Sequence, residues 1–177
     1  MAQAATNPTR GENSAGWIRL LVFGRSPKRT LLRIIVLVVA CFVVFRLVLL
    51  PIRVTGISMS PTYKDNSINF VNRFAYWRHE PQRGDVVGIQ FAGPHLMLLK
   101  RIVGLPGETI AFANGRILIN GQPLAEPYEK GPCNWNMPAE KIGSDEYYVV
   151  GDNREMPQSL HMQGRVERWR ILGKALL

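Results

Sequence analysis

Residues 34–52 read IIVLVVACFVVFRLVLLPI, an apolar run whose single charge is Arg46. Apolar residues on all sides of a 3.6-residue period predict a helix about 28 Å long, close to the hydrocarbon thickness of a bilayer. Arg46 lies near one end, where a long side chain snorkels toward headgroups. Pro51 lies where the helix is expected to stop. A buried helix of a soluble protein is the competing reading, but it suits runs of roughly 10–14 residues better than this one. The run starts late and ends in Leu-Pro-Ile-Arg, not at a small-residue cleavage site. The expectation is an uncleaved transmembrane anchor over 34–52 and not a signal peptide.

Beyond residue 53 the pattern changes. Short runs rich in β-branched and aromatic residues recur at Ile68–Asn72, 85–91, 96–103, Thr109–Ala113, Arg116–Ile119, 147–150 and 165–172. Turn signals separate them, and Asn114-Gly115 between two alternating runs predicts a two-residue hairpin. Asn120-Gly121 marks a second turn. The stretch 126–143, with Pro127, Pro132 and Pro138, reads as a long loop. Residues 54–177 are therefore expected to form a mainly β domain, a barrel or sandwich, behind one N-terminal transmembrane helix.

Charge changes the picture only once it is located. The chain has 177 residues, with 22 Lys and Arg against 13 Asp and Glu, a net +9. Such an excess first points to nucleic acid or an anionic membrane surface. Residues 1–53 hold eight of the basic groups and one acid (+7), and the remainder is +2. By the positive-inside rule, the basic tail 1–33 is cytoplasmic and the β domain extracytoplasmic. The segment 16–23, with Trp17, is a candidate interfacial stretch. No helix-turn-helix precedes the β domain, so nucleic acid is not an expected partner. Cys41 falls in the predicted helix and Cys133 in the outer domain, so the two do not pair. No Cys/His cluster has metal-ligand spacing, and neither metal nor cofactor is expected.

Four segments carry candidate chemistry: SMSPT (58–62), RGDVV (83–87), KRIVGLPGE (100–108) and GDNR (151–154). Alone, a Ser flanked by Gly and Pro is a turn, and a strand-end Lys faces solvent. In order and at these spacings, the four boxes resemble those of the type I signal peptidase family, membrane-anchored Ser/Lys serine proteases. The resemblance spans about 50–177 and the preceding anchor.

The resemblance implies that Ser58 is the nucleophile and Lys100 the general base. Desolvation at the end of the apolar LMLLK run lowers a lysine pKa and frees its amine to take the serine proton. The Ser58 backbone N–H is the implied oxyanion donor. Some members carry a second, a Ser hydroxyl, where this chain has Gly56, so another backbone donor or weaker stabilisation is expected there. Asp152 and Arg154 are expected to shape the turn that holds the site, and Asp85 to be structural. Met59 and Pro61 are expected beside the substrate.

After Gly-Asp-Asn-Arg this chain departs from the family. Pro157 stands in place of a lysine-orienting Ser, Ser159 in place of Asp and His161 in place of Arg, while Gly164 is kept. Ser159 or His161 is expected to take over support of Lys100, with His161 as an alternative base. The implied activity is removal of signal peptides from secreted preproteins after small residues, at the bacterial inner membrane. The lipid bilayer and the secretion translocon are expected neighbours. Three other readings stand beside it: a specialised processing peptidase, a catalytically silent anchored binding module and a self-cleaving repressor.

Overall fold

Pro27 opens helix α1 (Pro27–Val43), at a position where no intrahelical N–H is required. The computed structural model describes residues 26–92, 96–129, 131 and 133–176. The basic tail up to residue 25, with the candidate interfacial stretch 16–23, lies outside them. A π-type segment, Val44–Val48, continues α1. Together they make 22 residues, none of them buried, with an 18-residue window of mean hydropathy 2.8, long and apolar enough to cross a membrane.

The helical stretch thus begins before residue 34, because Lys28, Arg29 and Arg33 are good helix formers behind an N-terminal proline. Its far end differs too. Residues 49–52, expected in the helix, belong to β1 (Leu49–Arg53). Ile52 is buried in a core, and Pro51, unsuited to a helix interior, is accommodated because β1 is the outermost strand of its sheet.

Residues 45–177 form a separate unit of two antiparallel sheets. Its remaining strands are β2 (Ile68–Asn72), β3 (Val86–Ala92), β4 (Leu96–Gly104), β5 (Thr109–Ala113), β6 (Arg116–Ile119), β7 (Gln122–Pro123), β8 (Met137–Lys141), β9 (Glu146–Val150), β10 (Gly164–Glu167) and β11 (Ile171–Ala175). The larger sheet has the order β1-β2-β11-β3-β4-β9-β10 and the smaller β7-β6-β5-β8. The fold is mainly β, as the sequence pattern indicates. Both Asn-Gly turns take positive φ at both residues: 50° and 79° at Asn114 and Gly115, 50° and 82° at Asn120 and Gly121.

Two segments differ from expectation. The run 165–172 is two strands, broken by a 3-10 turn at Arg168–Arg170. The stretch 126–143 is not all loop, since Met137–Lys141 pairs with β5 along the sheet edge, where Pro138 is tolerated.

The larger sheet buries both faces. Val86 joins Ile52, Met59, Val71 and Leu99, whereas its neighbour Val87 joins Ile89, Ile102 and Val149 on the other face. A period of two demands that division. A third cluster, including Ile110, Phe112 and Trp135, lies under the smaller sheet and takes in Tyr148 and Val150. Burying each such side chain contributes roughly 1.5–3 kcal/mol. Residues 99–104 of β4 and Tyr147–Val150 of β9 are buried, and the site residues stand on or next to these stretches.

Candidate active site

Ser58 lies in the connection between β1 and β2. Gly56 turns the chain there with φ +96°, a value that disfavours any side chain, and its N–H donates to Asp65 Oδ1 at 2.8 Å. Met59 N–H is followed by a helical turn, with Tyr63 N donating to Met59 O at 2.9 Å. The Met59 side chain is buried against Val54 and Leu99, which fixes its neighbour Ser58 at the edge of that core.

Lys100 is the fifth residue of β4, opposite Val87. It is 2% exposed, and its Nζ lies 2.7 Å from Ser58 Oγ. No carboxylate is paired with it among the described residues. Burial pushes its pKa down to about 8, against a smaller upward pull from Asp152. A buried amine poised near neutrality and in hydrogen-bond contact with a hydroxyl can act as a base toward it.

Asp152 serves the adjacent cation. Arg101 Nε donates to its Oδ1 at 2.8 Å and Nη2 to its Oδ2 at 2.6 Å, a fork-like contact of a buried pair. Thr62 Oγ1 also donates to Oδ2, at 2.6 Å. Arg101 further donates to Gly84 O and lies over the Tyr128 ring, 3.9 Å from its centroid.

The Gly-Asp-Asn-Arg turn is docked directly on the serine loop. Asn153 N donates to Ser58 O at 3.0 Å and Asn153 Nδ2 to Ile57 O at 3.1 Å. At Gly151 a Cβ would stand 2.2 Å from Ser58 O, so only glycine lets the turn approach this closely. Arg154 is buried. Its Nε donates to Gly151 O, its Nη2 pairs with Glu126 at 2.5 Å, and its guanidinium carbon lies 5.8 Å from the Trp135 ring centroid. Asp85 stands apart, held by Tyr76, the Gln82 N–H and Lys174.

A groove of about 340 Å3 opens beside Ser58, lined by Ile52, Val54, Gly56, Met59, Met97 and Leu99 among others. Met59 lines it. Pro61 does not, and is exposed. Along its wall, β9 stops pairing with β4 at Val150 opposite Arg101, which leaves residues 96–100 without a strand neighbour on that side among the described residues. No three His, Cys, Asp or Glu side chains among the described residues are grouped to hold a metal ion.

The profile of the family described as "Signal peptidase, peptidase S26" matches residues 28–177. The chain belongs to this family. Signal peptidase I of Leptolyngbya laminosa is 38% identical over 128 residues, covering 68% of this chain and 63% of that protein. Probable signal peptidase I-1 of Synechocystis sp. is 34% identical, covering 67% of this chain and 65% of the relative. Signal peptidase I V of Bacillus subtilis is 33% identical, covering 68% and 79%. The chain thus spans less than two thirds of the first two relatives' length. A solved signal peptidase I from Enterococcus faecalis is 25% identical, with a TM-score of 0.44, covering 54% of this chain and 97% of that one.

After the GDNR box of this signal peptidase family member comes the segment 155–163, with Pro157, Ser159 and His161. Pro157 is exposed, and Ser159 is exposed on a 3-10 turn (Gln158–Leu160), with no hydrogen bond to Lys100 among the described residues. His161, in contrast, is 4% exposed, edge-on to Trp135 with ring centroids 4.7 Å apart, and its ring closes on the Gly151 backbone. Burial lowers its pKa to about 3, with Lys100 and Arg154 adding to the fall. Neither ring nitrogen reaches a partner with hydrogen-bond geometry, and a weaker polar contact with the Asn153 backbone only partly opposes that fall. Of the two expected supports, the fold brings in His161 and leaves Ser159 outside. So weak a base is a poor proton acceptor beside Lys100.

Thr62, Arg101, Glu126, Tyr128 and Trp135 were not singled out from sequence. Arg101 stands next to Lys100 in its box, which was the available signal. Thr62 closes the box that begins at Ser58, whereas Glu126, Tyr128 and Trp135 meet the site only through folding, as Glu126 and Arg154 do across 28 positions.

Proposed function

We propose that this protein is a membrane-anchored serine endopeptidase that removes signal peptides from preproteins, with Ser58 as nucleophile and Lys100 as general base. The observation that carries this reading is the 2.7 Å contact between Ser58 Oγ and a buried Lys100 Nζ with no carboxylate partner. In the attack, Lys100 Nζ takes the Ser58 hydroxyl proton while Oγ bonds to the scissile carbonyl carbon. When the C–N bond breaks, Nζ returns that proton to the leaving amine. Lys100 then activates a water to release the acyl group.

Oxyanion stabilisation falls to the Ser58 N–H, which no hydrogen bond among the described residues occupies. The Gly56 N–H is already committed to Asp65 and adds nothing. An extended peptide can add to the open side of residues 96–100, its alternate side chains entering the groove. This supports recognition of main chain with small residues before the cut, as in the family.

The apolar helix supports anchoring, and the bacterial sources of the relatives agree with a bacterial membrane, which we read as the inner one. The positive residues before the helix support a cytoplasmic tail over 1–33 and a domain from residue 54 outside, beside the bilayer and the secretion translocon. Tethering enzyme and preprotein to one surface raises their effective concentration. A specialised processing peptidase is the second reading, favoured by the altered segment 155–163. Cleavage of a preprotein panel by the intact protein and by Ser58→Ala, with cut sites read by mass spectrometry, tests both. Broad cleavage after small residues supports the first, a single accepted substrate the second. Intact preproteins with wild-type protein reject them together.

A further inference from the structure

A second hollow, of about 150 Å3, adjoins the first across the dyad. Ser58 lines the groove and Lys100 lines this hollow, so their hydrogen bond joins the two, and Leu98 borders both. Its walls are Ile89, Leu98, Val149, Met162 and Val166. A cavity of this size and character takes a group as large as a six-membered ring.

Its one unsatisfied polar atom is Gln163 Oε1, buried and without a hydrogen-bond partner among the described residues. Buried acceptors are ordinarily satisfied, so one left open beside a pocket is available to a ligand N–H. Arg165 at the rim is engaged with Glu140 and Glu146, so it offers no free cation. Met162 is 53% exposed, and a thioether side chain adapts to varied apolar shapes.

We propose that this hollow receives the first residues on the leaving side of the scissile bond, favouring an apolar side chain, with Gln163 Oε1 accepting an N–H of the departing segment. The proposal rests on the peptidase reading. The leaving amine must take its proton from Lys100 Nζ, so the departing chain passes Lys100, and this hollow is what Lys100 faces away from the groove.

The test uses full-length protein in lipid nanodiscs and peptides identical up to the cut but varied one position at a time after it. Wild type is expected to prefer an apolar residue over Asp by about tenfold in kcat/KM at one of the first positions. Gln163→Ala and Met162→Ala should shrink that ratio severalfold while leaving the ranking of residues before the cut as it was. Leu160→Ala, exposed and outside the hollow, should not shrink it. Equal cleavage of all peptides by wild type, or an undiminished ratio in both variants, overturns the proposal while the peptidase reading stands. No cleavage of any peptide overturns both.

Discussion

Replacing Lys100 with methionine separates its chemistry from its cost to folding. A lysine at its usual pKa of 10.5 is neutral in roughly one molecule in 3,000 at pH 7, whereas a pKa of about 8 makes it roughly one in ten. The fold therefore raises the supply of free amine about 300-fold. The same shift is an energetic burden of about 3 kcal/mol on the folded state whenever the amine is protonated.

The sign follows from proton binding. Between pH 8 and 10.5 the unfolded chain binds more protons at this site, so stability rises with pH across that window and the burden is fully present below it. Two measurements follow. The kcat/KM of wild type should rise with a single proton slope to a midpoint near pH 8. Lys100→Met should lose at least a thousandfold in activity at every pH, yet gain up to about 3 kcal/mol in denaturant unfolding at pH 6.5. A rising limb centred above pH 10, or a Lys100→Met protein less stable than wild type, would refute the reading of a desolvated lysine base.

Asp152→Asn leaves Arg101 buried without its carboxylate. It should cost about 3–5 kcal/mol in denaturant unfolding, and because Asp152 raises the Lys100 pKa, any surviving activity should show its limb below pH 8. Gly151→Ala places a methyl group against Ser58 O and the His161 ring. It should destabilise by about 1–3 kcal/mol and lower kcat more than it raises KM, because the serine loop must move. His161→Phe should keep most activity and an unchanged pH–rate profile, whereas His161→Ala should lose both activity and stability. Wild type should also lose stability as pH falls from about 6.5 toward 3, since only the unfolded chain protonates His161 there, and His161→Phe should lose less over the same range, keeping only the loss from carboxylates such as Asp85.

The sequence made some elements plain and concealed others for identifiable reasons. The Asn-Gly hairpins were legible because a type I′ turn leaves its demand for positive φ in the letters themselves. β1 was concealed because Leu49–Arg53 prolongs the apolar run of the helix, and no polar residue marks the change of period. β8 was hidden by Pro138, which reads as a loop until its edge position is known. The break between β10 and β11 carries neither Gly nor Pro. At the site, Ser58 and Lys100 were legible through the boxes. The Arg101–Asp152 and Arg154–Glu126 pairs were not, because charge pairing across 51 and 28 positions leaves no local pattern. The loop 155–163 shows the same limit: its letters did not distinguish exposed Ser159 from buried His161.

Lys100 and Arg101 are neighbouring cations on one strand with opposite fates. The pleat turns consecutive side chains to opposite sides, and Asp152 forks onto Arg101 while Lys100 is left to face Ser58. The two letters are therefore ordered information, not a basic dipeptide. The double exchange Lys100→Arg with Arg101→Lys would keep composition, net charge and hydropathy, yet set at Ser58 a guanidinium that does not give up its proton. Asp152 would meet a point charge unable to match its fork. In this strand a one-residue transposition would erase the proposed activity while no measure of content registered a change.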